Sequence, residues 1–161
     1  MIDNYFEVLR PGINTTFQDL GRKGFYHVGL PFSGAMDKRN FLISNKLVNN
    51  DENQASLEFA YQGPLLKLNS KKLIFSITGD VNFNIIKSNG RTIQGICYKT
   101  IILENDDRLD IISTNKSVYG YLSIHGGFKL KKFLNSYSTT TRAKVGANDG
   151  KKIQMNQKIF L

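Results

Sequence analysis

The strongest constraint on the fold is a succession of short apolar segments separated by turn-forming residues. Runs such as Leu73–Ile77 and Val118–Ile124 are followed closely by glycine pairs or Gly-Asp turns. Short runs rich in β-branched and aromatic residues are typical of strands rather than helices. Turn signals recur about every 8–12 residues, so the sequence predicts a mainly β fold with one or two helices.

Most of the chain divides into predicted strands. Ser88-Asn89-Gly90 predicts a hairpin turn, because Asn-Gly tolerates positive φ. Leu109–Ile112 and Val118–Ile124 are predicted to be neighbours. The remaining strands are predicted at Phe6–Leu9, Leu65–Leu68, Leu73–Ile77, Val81–Ile86, Ile93–Cys97 and Lys99–Leu103, with one or two more in Ile153–Leu161.

One segment, Ala35–Val48, has apolar residues near one face of an α-helix. Ser33 or Gly34 can cap its start, and Asp37 falls in the first turn, where a carboxylate is favoured. Asn49-Asn50 is a plausible end. A second, short helix is predicted at Gln54–Phe59 on weaker grounds.

The composition indicates an ordinary globular chain, predicted to form one domain over residues 1–161. The formal net charge is +9, but the lysine pairs are scattered and not interleaved with aromatic residues. A nucleic-acid or membrane partner is therefore not predicted, whereas a charged substrate would still benefit from the positive field. No signal peptide or membrane-spanning run is recognised, so a cytoplasmic location is expected. The single cysteine, Cys97, is predicted to be buried and inert.

The segment Thr15–Gly24 is polar and glycine-rich, which predicts a loop rather than a core element. Gln18, Asp19 and Arg22 place an amide, a carboxylate and a guanidinium close together. Arg22 could pair with a substrate carboxylate or phosphate. From composition alone, an internal Asp19–Arg22 ion pair that braces a surface loop is favoured.

The segment Gly29–Asp37 leads into the predicted helix, and free N–H groups there can bind an anion. A simple capped helix explains the pattern equally well. Glu58 lies between apolar residues, so its pKa could be raised by burial and it could act as a base, or it could cap a turn. Gly126-Gly127 permits close approach to a ligand or only a turn. His27 and His125 are too few for a multi-histidine metal site, and no metal is predicted.

Two long motifs carry a family resemblance. Arg10–Gly24 resembles the opening "RPG..TT.QDLGR.G" of a family that includes the C-type subunit of 5-oxoprolinase, allophanate hydrolase subunit 2 and the biotin-dependent carboxyltransferase domain of urea carboxylase. Ser33–Asp37 continues the match. Shorter matches follow at Leu57-Glu58, Gly63-Pro64, Ile77–Gly79, Tyr121-Leu122, Gly126-Gly127, Ser136, Ser138-Thr139 and Arg142.

The resemblance implies a cyclophilin-like β-barrel, the first of the family's two tandem barrels. Residues 1–161 would be a single carboxyltransferase-family domain, corresponding to the N-terminal half of the family's usual chain. We therefore expect either a fragment or a naturally split half. Several residues depart from the family pattern: Lys38 replaces Arg, Asn49 and Asn135 replace Gly, and Tyr137 replaces an Arg of "GSRST". The last change removes a bidentate anion donor.

The resemblance implies two chemistries. One is ATP-dependent opening of 5-oxoproline to glutamate by a multi-subunit hydrolase, whose partners are a B-like oxoprolinase subunit and a LamB/YcsF-like protein. The other is carboxyl transfer from carboxybiotin to urea or a similar amide. A third alternative is a non-catalytic regulatory binding module, since the family includes a protein that antagonises a kinase inhibitor by contact.

Both chemistries need a pocket that binds an amide or ureido group and stabilises oxyanion charge. Carried onto this sequence, the resemblance predicts catalytic carboxylates and a set of substrate-binding residues. ATP would act with the complex, and biotin would be the carboxyl donor in the second chemistry. The predicted catalytic residues are Asp19, Asp37 and Glu58, and the predicted binding residues are Gln18, Arg22, Ser33, Gly34, Met36, Gly126 and Ser138.

Overall fold

The computed structural model describes residues 4–161. These residues form eleven strands, one α-helix and two short 3-10 helices. The strands are β1 (Tyr5–Arg10), β2 (Asn14–Gln18), β3 (Ser56–Ala60), β4 (Leu65–Asn69), β5 (Lys72–Thr78), β6 (Val81–Ile86), β7 (Thr92–Gln94), β8 (Thr100–Glu104), β9 (Arg108–Thr114), β10 (Tyr119–Ile124) and β11 (Lys158–Phe160). The α-helix, α1, is Lys38–Leu47, and the 3-10 helices are Tyr26–Val28 and Asn148–Gly150.

The strands build two antiparallel sheets. One sheet has the order β11-β1-β4-β9-β6-β7 and the other β2-β3-β10-β5-β8. Apolar side chains from both sheets meet in one core, which includes Phe6, Phe59 and Phe83. Cys97 is half-buried against this core rather than fully buried. The prediction of a mainly β fold with one or two helices is confirmed, with one α-helix present among residues 4–161.

The helix α1 packs on the outer face of the five-stranded sheet, against β10, β5 and β3. Phe41 of the helix meets Tyr121 of β10 edge to face, with ring centroids 6.0 Å apart. Beneath the helix, the hydroxyl of Ser44 donates to Ser123 Oγ at 2.7 Å. The helix α1 therefore covers one end of this face of the sheet. The start of α1 forms the edge of a cleft on the same face.

Two predictions about the strands were wrong. Residues 56–60 form β3 rather than a short helix, because they pair with β2 on one side and β10 on the other. The strands β9 and β10 are not neighbours, since β9 pairs with β4 and β6 in one sheet and β10 belongs to the other. Local spacing cannot distinguish a hairpin from a link between sheets.

The prediction of a loop at residues 15–24 was also wrong in its first part, where Asn14–Gln18 forms β2. Thr15 and Phe17 face the core side, whereas Thr16 and Gln18 face the outer side, as the period of two requires. Polar residues at alternate positions of this strand line a cleft instead of packing in the core. The segment therefore lacks the apolar alternation by which a strand is recognised in a sequence.

Two asparagines replace family glycines at positions that need a left-handed backbone. Asn49, just after the helix, has φ 56°, and Asn135, in the turn closed by Phe133 and Ser136, has φ 62°. Asparagine tolerates this conformation better than other residues with a side chain. Both departures from the family pattern therefore preserve the turn geometry.

Within residues 4–161, no helix is long and apolar enough to cross a membrane.

Candidate functional site

The register of three strands brings the central polar residues side by side. Thr16 of β2 lies opposite Glu58 of β3, and Glu58 lies opposite Tyr121 of β10. Residues directly opposite in antiparallel strands point to the same face of the sheet. Glu58 is thus held between two neighbours on the outer face, beside the start of α1.

A hydrogen-bond chain links Glu58 to the loop that precedes α1. The Tyr121 hydroxyl donates to Glu58 Oε2 at 2.6 Å, and the Met36 N–H donates to the same oxygen at 2.8 Å. The Tyr121 hydroxyl in turn accepts from the Asp37 N–H at 2.7 Å. Oε1 of Glu58 receives no hydrogen bond from the described residues, so it remains free for a ligand on the cleft side.

Burial raises the pKa of the Glu58 carboxyl above its ordinary value, and the charge of Asp37 adds to the effect. The hydrogen bonds from Tyr121 and from the Met36 N–H oppose this rise in the pKa. Burial and the Glu58 charge also raise the pKa of the Tyr121 phenol, which therefore stays protonated and donates. A carboxylate with a raised pKa in a cleft is suited to accept a proton from a bound ligand.

Gln18 provides an acceptor that no protein group uses. Its Nε2 donates to Thr16 Oγ1 at 2.9 Å and to the Thr139 carbonyl at 3.0 Å. These bonds fix the orientation of the amide, because a carbonyl can only accept. Oε1 of Gln18 is buried without a partner. Leaving a buried amide oxygen unpaired costs about 1–3 kcal/mol, so a ligand N–H would be stabilised there.

The loop Ser33–Met36 forms one wall of the cleft. Two backbone hydrogen bonds fix its position, from the Arg22 N–H to the Phe32 carbonyl at 2.8 Å and from the Ala35 N–H to the Asp19 carbonyl at 2.9 Å. Gly34 has φ 93°, and a Cβ built on it would lie 2.9 Å from the backbone nitrogen of residue 21. The loop can therefore pack this closely against the backbone of residues 20–21 only because residue 34 is glycine.

We expect the substitution Gly34→Ala to lower the free energy of unfolding by about 2–4 kcal/mol, through backbone strain at positive φ together with a clash against backbone atoms. Gly24→Ala is the matched control, because Gly24 has φ 87° but nothing lies within 4 Å of its built Cβ. Urea unfolding of both variants measures the difference. Equal losses would mean that the contact between the two loops contributes nothing.

Asp37 caps the helix rather than Ser33 or Gly34. Its carboxylate accepts from the Asn40 N–H at 3.0 Å and from Asn40 Nδ2 at 2.6 Å. Both carboxylate oxygens are thereby used at the start of α1, and the Glu58 carboxylate takes the Met36 N–H just before it. The Asp37 and Glu58 carboxylates place two negative charges at this helix start, which disfavours binding of an anion there.

Asp19 is completely buried, and its carboxylate receives four hydrogen bonds. The donors are Ser138 Oγ at 2.6 Å, Ser136 Oγ at 2.7 Å, Tyr137 N–H at 2.6 Å and Gly21 N–H at 2.8 Å. Three of the four belong to the segment 136–138, which lies outside the regular strands and helices. Asp19 therefore anchors that segment against β2, and its carboxylate is fully used.

Arg22 anchors the same segment through its guanidinium. It donates to the Ser138 carbonyl, to Thr140 Oγ1 at 3.0 Å and to Ser33 Oγ at 3.2 Å. Ser33 Oγ and Thr140 Oγ1 also share a short hydrogen bond. The predicted ion pair was wrong: Asp19 and Arg22 form none with each other within 4.0 Å. Both instead bind the segment Ser136–Thr140, which joins the Ser33 loop to complete the cleft.

These elements enclose an open cleft of about 270 Å³. Five of the predicted residues line it: Gln18, Ser33, Gly34, Met36 and Glu58. The residues around them that were not predicted for the site are Asn14, Thr16, Tyr119, Thr139, Thr140, Thr141 and Arg142. The cleft thus combines free acceptors at Gln18 and Glu58 with hydroxyl donors, a set that complements an amide or ureido group.

Other predicted residues lie outside the cleft lining. Asp19, Arg22 and Ser138 hold the wall of the cleft in place through their hydrogen bonds. Asp37 caps α1 at the edge of the cleft. Gly126 follows the distal end of β10, where its N–H donates to Asn50 Oδ1 at 3.0 Å.

Tyr121 and the threonines 139–141 were missed as site residues. Tyr121 could have been found only from its pairing with Glu58, since its own sequence context is that of a buried strand. Thr139 and Thr140 reach the cleft because Asp19 and Arg22 hold their segment there. Within residues 4–161, no group of three or more His, Cys, Asp or Glu side chains could hold a metal ion.

Comparisons with known proteins identify the family. The sequence profile of the carboxyltransferase domain, subdomain A and B, matches residues 28–161. The chain belongs to this family. Urea amidolyase of Saccharomyces cerevisiae is 31% identical over 156 residues, covering 96% of this chain and 8% of that protein. The C-type subunit of 5-oxoprolinase from Haemophilus influenzae is 30% identical over 153 residues, covering 95% of this chain and 48% of that protein.

A solved structure shows the same fold. The crystal structure of the urea carboxylase of Kluyveromyces lactis superposes with a TM-score of 0.92 at 30% identity, covering 100% of this chain and 14% of that one. This chain therefore corresponds to a small part of the yeast proteins and to about half of the length of the bacterial subunit.

Proposed function

We propose that this chain supplies part of the amide-binding site of a 5-oxoprolinase-type hydrolase, which opens 5-oxoproline to glutamate with ATP in a complex with other subunits. Its bacterial relatives are named as a subunit of 5-oxoprolinase, which indicates a multi-subunit assembly. The expected partners are a B-like oxoprolinase subunit and a LamB/YcsF-like protein.

The observation that carries the proposal is the pair of free acceptors in one cleft. Gln18 Oε1 is buried without a partner, and Glu58 Oε1 receives no bond from the described residues. A cyclic amide offers an N–H to such an acceptor and a carbonyl oxygen to one hydroxyl of the Ser33–Thr140 pair, because the other hydroxyl donates within the bond that the two share. Binding would therefore satisfy groups that the protein leaves unpaired.

Glu58 is the group proposed to move a proton. Its carboxylate is fixed through Oε2 by Tyr121 and the Met36 N–H, and Glu58 lines the cleft. Burial raises the pKa of this carboxyl above its ordinary value, which makes it a stronger proton acceptor. Asp19 and Arg22 are positioning residues, because their bonds hold the cleft wall and do not reach a ligand.

The described residues do not fit ATP in this cleft. The Asp37 and Glu58 carboxylates lie at the start of α1, and both terminal nitrogens of the Arg22 guanidinium already donate to Ser138, Thr140 and Ser33. We expect nucleotide binding to depend on other parts of the complex.

A second candidate is carboxyl transfer from carboxybiotin to urea or a similar amide. The close structural similarity to a urea carboxylase favours it. The ureido group of biotin has a carbonyl between two ring nitrogens, one of which carries the carboxyl group in carboxybiotin. One N–H therefore remains for Gln18 or Glu58, and the carbonyl can accept from Thr140. Bound biotin would supply the carboxyl group, while these residues would orient the ureido ring.

The decisive experiment uses the chain purified in complex with its partner subunits. ATP-dependent glutamate release from 5-oxoproline is expected, with no carboxylation of urea when a biotin carboxylase and biotinylated carrier are supplied. In the Gln18→Met variant we expect KM for 5-oxoproline to rise about ten-fold with a smaller change in kcat, because the lost acceptor contributes to binding.

The control is Gln94→Met, a substitution in the exposed strand β7. An unchanged KM in Gln18→Met would remove Gln18 from the site. Urea carboxylation without glutamate release would establish the second candidate instead, and tight complex formation with neither activity would establish a regulatory binding module.

A further inference from the structure

A second pocket, of about 360 Å³, lies directly beside the cleft. Asn14 and Thr141 line both cavities, so the two are adjacent. Three of the remaining lining residues are lysines, and none of the lining residues is acidic. The lysines are Lys144, Lys151 and Lys152.

The fold creates this concentration of charge from two segments of chain. A bridge between Thr140 and Val145 turns the chain back, which presents Lys144. Gly150 then packs against that turn so closely that a Cβ built on it would overlap the backbone of Lys144. The following residues, Lys151 and Lys152, are therefore brought beside Lys144.

None of the three lysines is neutralised by the described residues. The four ion pairs among residues 4–161 involve Arg10, Lys67 and Lys87. Lys152 Nζ donates only to the Ile13 carbonyl, at 3.2 Å. Asp149, the nearest acid along the chain, lines a different pocket.

Like charges held together without a counter-charge repel one another, and a bound anion removes that repulsion. Lysine ammonium groups act as point charges that bind phosphate without needing a planar fork. Arg142 adds a further cation on the wall of the adjoining cleft. From this geometry we infer that the lysine pocket, Lys144, Lys151 and Lys152, is a subsite for a multiply charged anionic group of the phosphate type.

This subsite goes beyond the amide-binding function and does not depend on it. Because Asn14 and Thr141 are shared, one molecule can extend an amide end into the cleft while its anionic end lies among the lysines. The amide end would bind Gln18 and Glu58, whereas the anionic end would bind the three lysines, so binding at the two ends can be tested separately.

The test is calorimetric titration of the full chain with inorganic phosphate. The triple variant Lys144→Gln, Lys151→Gln, Lys152→Gln is expected to bind phosphate about ten-fold more weakly or worse, because several exposed charge interactions are lost together. The matched control is Lys71→Gln, Lys72→Gln, Lys131→Gln, which removes the same number of charges elsewhere on the chain. This control is expected to bind like the wild type.

Acetate provides the second arm, and it is expected to bind much more weakly than phosphate. Glu58→Gln is expected to retain phosphate binding, which separates this subsite from the fate of the amide site. The inference is overturned if the wild type does not bind phosphate, if both triple variants lose binding equally, or if acetate binds as tightly as phosphate.

Discussion

Replacing Asp19 by alanine is expected to lower the free energy of unfolding by about 3–5 kcal/mol, since it removes a buried carboxylate that four donors share. Ser136, Tyr137 and Ser138 would lose the acceptor that ties their segment to β2, and the Tyr137 and Gly21 N–H groups would be left unpaired. Thermal unfolding should show a fall in Tm of about 10 °C.

Asp51→Ala is the control, because Asp51 is exposed and its side chain accepts no hydrogen bond from the described residues. It should unfold like the wild type. A loss below about 1 kcal/mol in Asp19→Ala, within the usual range of surface substitutions, would show that the segment 136–140 holds its place without this anchor.

The largest effect on activity is expected from Glu58→Gln. The amide keeps the size of the side chain and an oxygen that can accept from Tyr121 and the Met36 N–H, but it cannot take a proton. If Glu58 is the proton acceptor, kcat of the complex should fall about 100-fold or more. Glu52→Gln, which alters an exposed carboxylate, is the control. Unchanged kcat in Glu58→Gln would refute the proposed role.

The raised pKa of Glu58 also fixes the direction of two pH effects. The wild-type kcat should fall as the pH is lowered through that raised pKa, because the base becomes protonated. Stability should change in the opposite sense: the stabilisation associated with the protonated side chain is present at low pH and is lost as the pH rises through the folded-state pKa. Glu58→Gln should therefore gain stability relative to the wild type at higher pH, which urea unfolding at several pH values measures.

The sequence was informative about strands whose core-facing positions are apolar. Leu73–Ile77 lies within β5 and Val81–Ile86 is β6, and the turn Ser88–Gly90 does connect β6 to β7. It was uninformative about β2, because a strand that lines a cleft carries polar residues where a core strand carries apolar ones. The cap of α1 was also predicted wrongly: Asp37, rather than Ser33 or Gly34, accepts from the Asn40 N–H in the first turn.

The candidate site was also predicted only in part from the sequence. Glu58 was predicted to be partly buried with a raised pKa, and the structure has both features. The paired motif residues Asp19 and Arg22 were predicted to contact a substrate or each other, yet their side chains bind the segment Ser136–Thr140. Their partners lie more than 110 positions away, a separation that no local pattern can report.

The sequence by itself determined the mainly β class, the position of the helix and the residues that carry the family resemblance, because these depend on local periodicity and on ordered motifs. Only the tertiary structure decided which strands are neighbours, that Glu58 and Tyr121 share a face, and that Lys144, Lys151 and Lys152 line one pocket. Each of these depends on register and long-range packing, which bring together charges and hydroxyls that are scattered along the chain. The lysines are the clearest example of such long-range packing. They are scattered along the sequence and did not predict a polyanion partner, yet three of them line one pocket beside the cleft.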